Sequence, residues 1–361
     1  TTTVSLVDVR KELPLWVDAM KKEYDSLIHE TKAIEPIDVD DLPEGSELVP
    51  GKLVAVRKAG PKGGRRKCRA VVCGNLLNGA SDPIPNSYAS GADGTLIRTT
   101  IQHSVTKGWG MGILDVRTAF LLAPRPQPTE SQREVIVTPP KVMVEAGVCK
   151  PRERWRVHRA LYGFTSSPAH WAIYRDSTLE KMTWMDGDQP FFLQSTAEGN
   201  LWKIMKGKKD EGSPGCVGHV IVYVDDIMAL STPEIREGFF QRVKQEWKCS
   251  DVETVGQDQW TRFCGFELKW KNDTQLMIGQ ESYTKELLKR HQDVIPRSSP
   301  MPKVDIPEEI EDDATAQEVK AAQGLTGELL WLAIRSRPDL SYAVSVMGRQ
   351  STKRPRLAVM L

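Results

Sequence analysis

Apolar and polar positions recur along the chain with two periods, and the switches between them lay out a mixed α+β order. Leu13, Trp16, Val17, Met20, Tyr24, Leu27 and Ile28 recur at i, i+3 and i+4, which predicts a helix over 13–34 with these side chains on one face. Two short runs, Leu53–Lys58 and Arg69–Cys73, are joined through Pro61-Lys62-Gly63-Gly64, and that turn chemistry predicts a β-hairpin. A stripe of Leu96, Ile97, Thr100, Ile101, Ser104 and Val105 predicts a helix over 95–107. A Gly-rich loop over 108–112 then leads into a strand, Ile113–Val116. The Pro-rich stretch 124–140 reads as irregular surface structure. A helix is expected from Ser167-Pro168, with Ser as N-cap, Pro at the first helical position, and Trp171, Tyr174, Leu179 and Met182 on its apolar face.

Val220–Leu230 is apolar on both sides of Asp225-Asp226, and Phe263–Leu268 reads as a strand near a tight turn. Residues 280–291 read as a helix, the acidic span 302–318 as a solvated linker, and 321–350 as helical with an interruption near Pro338. No internal repeat is present.

The chain has 361 residues, room for two or three subdomains with cores of their own. Hydrophobic residues at 40% and charged residues at 27% exclude a disordered chain. The six Cys form no C-x-x-C pair, and no His stands at a zinc-finger interval, so reduced intracellular thiols are expected. Apolar runs are far shorter than the ~18 residues of a membrane span. The opening Thr1-Thr2-Thr3-Val4 carries neither an initiator Met nor a signal-peptide core, so a fragment or processed piece of something longer is expected.

Two adjacent Asp inside an apolar frame are costly without a partner. At an effective dielectric of ~20, unit charges ~4 Å apart repel by about 4 kcal/mol. A solvated hairpin turn is one reading of Asp225-Asp226. A cation site is the other, and Asp115, at the end of a short apolar strand, favours it. Three carboxylates on neighbouring strand ends can hold two divalent ions, and all-oxygen ligands suit Mg²⁺, with Mn²⁺ as an alternative. Such a centre activates an attacking hydroxyl and needs no Cys, His or Ser nucleophile. No His is assigned a catalytic role, and the Gly108–Gly112 cluster precedes a strand, so it is not a nucleotide loop.

Tyr223-Val224-Asp225-Asp226 resembles the YxDD box of reverse transcriptases. Leu114–Leu121 (Leu-Asp-Val-Arg-Thr-Ala-Phe-Leu) resembles the first catalytic motif of copia-type LTR retrotransposons. Ala160–Phe164 with Ser167, Pro168 and Trp171 resembles their A-L-Y-G-L-K-Q-S-P block, with Thr165-Ser166 in place of K-Q. Trp16, Ala19, Met20 and Glu23 resemble the W-x-x-A-M-x-x-E opening, and Lys67–Val72 resembles K-A-R-L-V-A. Phe263–Leu268 resembles F-L-G-x-E-L, and 327–344 resembles the G-x-L-x-Y-L…TRPDI-x-YAV block. The matches keep the family's order from about 13 to 355.

The resemblance implies a right-hand polymerase: fingers, a palm with an antiparallel sheet and the YVDD hairpin, and a helical thumb. The implied division is N-terminal helix and fingers over 1–105, palm over 106–120, fingers again over 121–166, palm with YVDD and primer grip over 167–271, and thumb and start of connection over 272–361. It implies RNA-directed DNA polymerase activity, with dNTP joined to a primer 3′-hydroxyl on an RNA or DNA template. Asp115, Asp225 and Asp226 are then the catalytic and metal-binding carboxylates. Lys67 and Arg69 grip the triphosphate, with Lys58 a lesser candidate. Phe120, five residues past Asp115, crowds out a 2′-hydroxyl. Tyr162 and Gly163 lie near the nucleotide and template base. Phe263, Cys264, Gly265, Phe266, Glu267 and Leu268 form the primer grip. The alternative is a catalytically inactive or domesticated remnant that only binds nucleic acid; Thr165-Ser166, the altered D-L-G signature at Asp251-Val252-Glu253 and a lengthened stretch before Phe263 motivate it.

Expected partners are an RNA or DNA template–primer and dNTPs, with ribonuclease H and integrase regions elsewhere in the same polyprotein, and no membrane. The expected location is a cytoplasmic virus-like particle or the nucleus, without secretion. Lys plus Arg total 49 against 48 Asp plus Glu, a net charge of only +1. A basic track must therefore be local, and the candidates are 52–69 (Lys52, Arg57, Lys58, Lys62, Arg65, Arg66, Lys67, Arg69) and 150–159 (Lys150, Arg152, Arg154, Arg156, Arg159).

Overall fold

The computed structural model describes residues 2–58, 64–77, 89, 91–126, 133–209, 215–292, 294, 299, 301 and 305–361. In chain order the elements begin β1 Thr2–Val4, α1 Leu6–Lys11, α2 Val17–Asp25, β2 Ile34–Asp38, β3 Glu47–Lys58, β4 Arg65–Val72, α3 Gly94–Thr106 and β5 Gly110–Asp115. Next come β6 Val135–Thr138, α4 Lys141–Glu145, β7 Glu153–Val157, α5 Ser167–Glu180, β8 Thr183–Asp186, β9 Gln189–Ser195 and β10 Leu201–Lys206. Then follow β11 Gly215–Tyr223, β12 Asp226–Ser231, α6 Pro233–Glu246, β13 Glu253–Thr254, β14 Thr261–Phe263, β15 Phe266–Asn272 and β16 Gln275–Gly279. The helices α7 Glu281–Arg290, α8 Ala316–Ala333, α9 Ser341–Gln350 and α10 Pro355–Met360 end the chain. The chain divides into two compact units.

The first unit comprises Thr1–Gly91, Val116–Trp184 and Phe191–Ser195. Its sheet runs β1-β3-β6-β7-β2, with β4 also paired to β3. The expected hairpin is present and longer than the apolar runs alone: β3 and β4 pair antiparallel from Gly51↔Val72 to Lys58↔Arg65, while 59–63 of the expected turn lies outside the described residues. The expected 13–34 helix is broken into a short turn at Leu13–Leu15, α2, and a π-turn at Ser26–Glu30, yet Trp16, Met20 and Leu27 are buried as the spacing requires. They join Leu53, Trp155, Leu161 and Phe164 in one core. The Pro-rich stretch departs from expectation: Val135–Thr138 is a buried strand, because parallel pairing with Glu47–Pro50 of β3 satisfies its backbone. The helix at Ser167 starts one residue early. Ser166 takes the N-cap position, and the Ser167 hydroxyl donates to the Leu161 carbonyl oxygen instead of capping.

The second unit comprises Ala92–Asp115, Met185–Pro190 and Thr196–Leu361. Strands β13-β5-β12-β11-β10 lie side by side, all antiparallel. The α3 helix follows its expected stripe, burying Ile97, Thr100, Ile101 and Ser104, and the Asp93 carboxylate caps it by accepting the Thr95 N–H at 2.7 Å. Part of the expected Gly-rich loop is in fact strand. Gly110 and Gly112 sit in β5 where α6 presses closest, and a Cβ on Gly112 would stand 2.8 Å from the Phe240 ring. A separate three-stranded sheet, β14-β15-β16, carries the 263–268 motif.

Two charge expectations change. The described part of the acidic span is no freely solvated linker. Its Asp313 and Glu318 pair with Arg356 at 3.0 and 2.8 Å, and Glu318 also completes a capping box with Thr315 that starts α8. In 150–159, Arg152 pairs with Asp38 and Asp40, and Arg156 with Glu35 and Glu134, so those cations are engaged by acids of their own unit. Among the described residues, no helix is long and apolar enough to cross a membrane. None of the six cysteines, all among the described residues, forms a disulfide.

Candidate active site

The carboxylate centre is set by strand register. Asp115 ends β5 and Asp226 opens β12, and the ladder places the two opposite one another. Tyr223 pairs with Asp226 across a two-residue turn, Val224-Asp225, that closes the β11–β12 hairpin. Val224 takes φ +57, a left-handed conformation that costs an L-residue about 1–2 kcal/mol. Behind the turn, Val220, Ile221, Val222, Ile227 and Met228 are fully buried, so the ladder is anchored in core.

Asp115, Asp225 and Asp226 each offer a carboxylate oxygen, all within 4.8 Å of one another, and all three residues are partly buried. Burial, then the charges of Asp225 and Asp115, push the Asp226 carboxyl up to about 6. The like-charge repulsion argued from sequence is thus present in the folded chain. Such an oxygen-only set fits a hard divalent cation. Ser250 fixes the Asp115 peptide from both sides: the Asp115 N–H donates to Ser250 Oγ at 3.0 Å, and the Ser250 N–H donates to the Asp115 oxygen at 2.9 Å.

The 263–268 motif is a hairpin beside this centre. Phe263 and Phe266 pair across a Cys264-Gly265 turn with φ +48 and +78, as a type I′ turn requires. Phe263, Phe266 and Leu268 are buried, and Glu267 accepts the Ser282 N–H at 3.1 Å. The Cys264 thiol touches the Tyr223 hydroxyl, and together with burial it pushes the Tyr223 phenol up. Arg335 lies over the Trp331 ring at 3.3 Å and donates from Nε to the Cys264 carbonyl oxygen at 3.2 Å. A Cβ on Gly265 would fall 2.6 Å from that Trp331 ring.

The other candidates gather in the first unit. The Arg69 guanidinium lies over the Tyr162 ring at 5.0 Å, and the Phe120 ring sits 5.8 Å from the same tyrosine. Gly163, at φ +99, lets the chain pass so close to β4 that the Val72 N–H donates to the Tyr162 oxygen at 2.7 Å. Lys67 shares a face of β4 with Arg69. Burial and the charges of Arg69, Lys58 and Arg65 hold the Lys67 ammonium below its usual range, the mark of a cationic cluster short of anions. Ser250 and Arg335 were not singled out from sequence. Trp331 at least lies in a quoted motif, whereas Ser250 precedes the stretch that departs from the family pattern and carries no local signal.

Carboxylates gathered on antiparallel strand ends can hold divalent ions, an arrangement that polymerases among other enzymes use. The family of reverse transcriptases (RNA-dependent DNA polymerases) matches residues 35–301. A transposon Ty5-1 protein of Saccharomyces cerevisiae is 24% identical over 65% of this chain and 68% of its own length. A retrovirus-related Pol polyprotein from transposon TNT 1-94 of Nicotiana tabacum is 24% identical over 71% of this chain and 18% of its own length. Among solved structures, a foamy viral protease–reverse transcriptase in complex with double-stranded DNA gives a TM-score of 0.45 at 14% identity, over 92% of this chain and 43% of that one. The chain belongs to the reverse transcriptase family and is a copia-type retrotransposon reverse transcriptase domain.

Proposed function

We propose that this chain is itself an active RNA-directed DNA polymerase, joining dNTPs to a primer 3′-hydroxyl on an RNA or DNA template. The observation that carries this reading is the convergence of Asp115, Asp225 and Asp226 oxygens within 4.8 Å. These three carboxylates would hold two Mg²⁺ ions, with Mn²⁺ as the alternative. When bound, the ions supply Lewis-acid activation of the hydroxyl and charge neutralisation at the phosphates. The Val224 turn and Ser250 hold the carboxylates in place. Lys67 and Arg69 take the triphosphate by charge-assisted hydrogen bonds. The Phe120 ring crowds a 2′-hydroxyl and favours dNTP over rNTP. Tyr162 and Gly163 face the nucleotide and template base, and the Phe263–Leu268 hairpin positions the primer end. In this reading 1–105 and 121–166 act as fingers, 106–120 and 167–271 as palm, and 272–361 as thumb.

Primer extension on an RNA template with Mg²⁺ tests it, wild type beside Asp225→Asn. Wild type is expected to extend, and the variant to lose activity by at least a hundredfold, about 2.7 kcal/mol of barrier. Folded wild type that binds primer–template and gives no product would establish the non-catalytic alternative instead.

A further inference from the structure

Glu23 is the motif residue with no role so far. It projects from α2 to the outer edge of β4, where its Oε1 accepts the Ala70 N–H at 3.0 Å. Among the described residues the β4 strand pairs only with β3, so no described strand pairs with that edge. Two of its N–H groups have acceptors there, Glu23 for Ala70 and the Tyr162 carbonyl for Val72. A glutamine would accept the Ala70 bond equally well, so a carboxyl is more than the edge requires. What it adds is charge, placed behind the strand that carries Lys67 and Arg69.

We propose that Glu23 is a positioning residue for the triphosphate grip, one whose charge is set against Lys67 and Arg69 so that nucleotide binding depends on the state of its carboxyl. The proposal rests on the reading of Lys67 and Arg69 as that grip. Three groups of β4 act on the carboxyl or feel it: Arg69, Lys67 and the Cys68 thiol. From β3, Lys58 acts on Lys67. Burial pushes the Glu23 carboxyl up to about 7, against the Ala70 bond and the two cations, which pull it down. Both states are therefore populated near neutral pH. The ionised form competes with phosphate oxygens for Arg69 and Lys67, and an arriving triphosphate favours the protonated form. By linkage, nucleotide binding takes up a proton from solvent, and affinity falls as pH rises through 7.

The test measures dNTP Kd in a complex of the full chain with a dideoxy-terminated primer–template and Mg²⁺, from pH 6 to 8. Wild-type Kd should rise by three- to tenfold across that range, tenfold being about the limit for one group titrating near 7. Glu23→Gln keeps the acceptor for Ala70 and should lose that rise, binding more tightly than wild type at pH 8 and equally at pH 6. Ionisation of the nucleotide itself is common to both proteins and cancels. Equal pH profiles in wild type and Glu23→Gln would overturn the proposal. Lys67→Ala and Arg69→Ala separate it from its premise: if both leave Kd unchanged, or wild type binds no dNTP, the grip reading fails as well. If they raise Kd while the Glu23→Gln profile matches wild type, only the role of Glu23 fails.

Discussion

Replacing Gly163 by alanine tests how the Tyr162 platform is built. A Cβ at 163 would stand 2.0 Å from the Val72 carbonyl oxygen, 2.6 Å from Val71 Cγ1 and 2.9 Å from the Val72 nitrogen. The carbonyl has nowhere to retreat, since Val72 is paired with Gly51 and its N–H is bonded to Tyr162. Three effects add. A φ of +99 costs alanine about 1–2 kcal/mol. Overpacking against backbone costs about 1–3 kcal/mol. Losing the Tyr162–Val72 bond costs about 0.5–1.5 kcal/mol. Reduced freedom of the unfolded chain returns about 0.4–1 kcal/mol. The net loss is roughly 1.5–6 kcal/mol. At about 2–4 °C per kcal/mol for a unit of this size, thermal unfolding of the first unit should fall by roughly 3–24 °C.

Gly147→Ala is the control for the backbone part. Gly147 belongs to the same unit and has φ +69, yet its Cβ would meet nothing within 4 Å. Differential scanning fluorimetry of both variants separates the two effects. The clash also moves the Tyr162 ring away from Arg69 and Phe120, so Gly163→Ala should raise KM for dNTP where it still folds, and Gly147→Ala should not. Equal melting shifts in the two variants would refute the steric argument.

Other expectations follow from the same geometry. Gly265→Ala meets the Trp331 ring at 2.6 Å with φ +78, so the second unit should lose roughly 2–4 kcal/mol in urea unfolding; a loss below ~1 kcal/mol would contradict the packing of that turn. Burial, His103 and Lys203 hold the His219 imidazole down at about 4, so it stays neutral when folded while the unfolded chain protonates near 6.5. Stability from this group is full above pH 6.5 and drains as pH falls toward 4, by about 1–2 kcal/mol after discounting for its partial exposure, and His219→Phe should flatten that acid limb in urea titrations. Among the described residues of 52–69, Lys52, Lys58, Arg65, Lys67 and Arg69 form no ion pair. Were three to five of them to contact duplex phosphates, log K against log salt should slope by about −2.7 to −4.5, and a flat response would remove the basic track.

Much of this was legible in sequence wherever local pattern and tertiary pairing agree. The 95–107 stripe gives a helix within one residue because its buried positions and its Asp93 cap point the same way. The carboxylates converge because the apolar runs on either side of Asp225-Asp226 can pair in only one register without exposing the core. What escaped the reading depends on partners distant in sequence. Val135–Thr138 looks irregular among prolines until β3 supplies its bonds. The cations at 152 and 156 look like a free track until Asp38, Asp40, Glu35 and Glu134 are folded beside them. The acidic 302–318 span looks solvated until Arg356, some forty residues on, pairs with its Asp313 and Glu318. Counting charges gives a sum, and only the fold assigns each to its partner.

Strained backbone falls in the same places as the motifs. Among the described residues, the non-glycine positions with positive φ are Lys32, Thr118, Val224 and Cys264. Three of these lie inside the 114–121, 223–226 and 263–268 motifs. Glycine would occupy the Val224 position without strain, yet a β-branched residue stands there. The reason follows from the charges alongside it. Oxygens from three carboxylates lie within 4.8 Å, and at an effective dielectric of ~20 one such pair repels by about 3–4 kcal/mol, more than the about 1–2 kcal/mol of turn strain. A compliant glycine turn would let Asp225 swing outward and relieve that repulsion. The stiff Val224 turn, locked to a fully buried ladder, keeps the carboxylates together before any cation arrives. On the proposed reading the strain serves preorganisation: the backbone sets the spacing of the oxygens that a cation would bind.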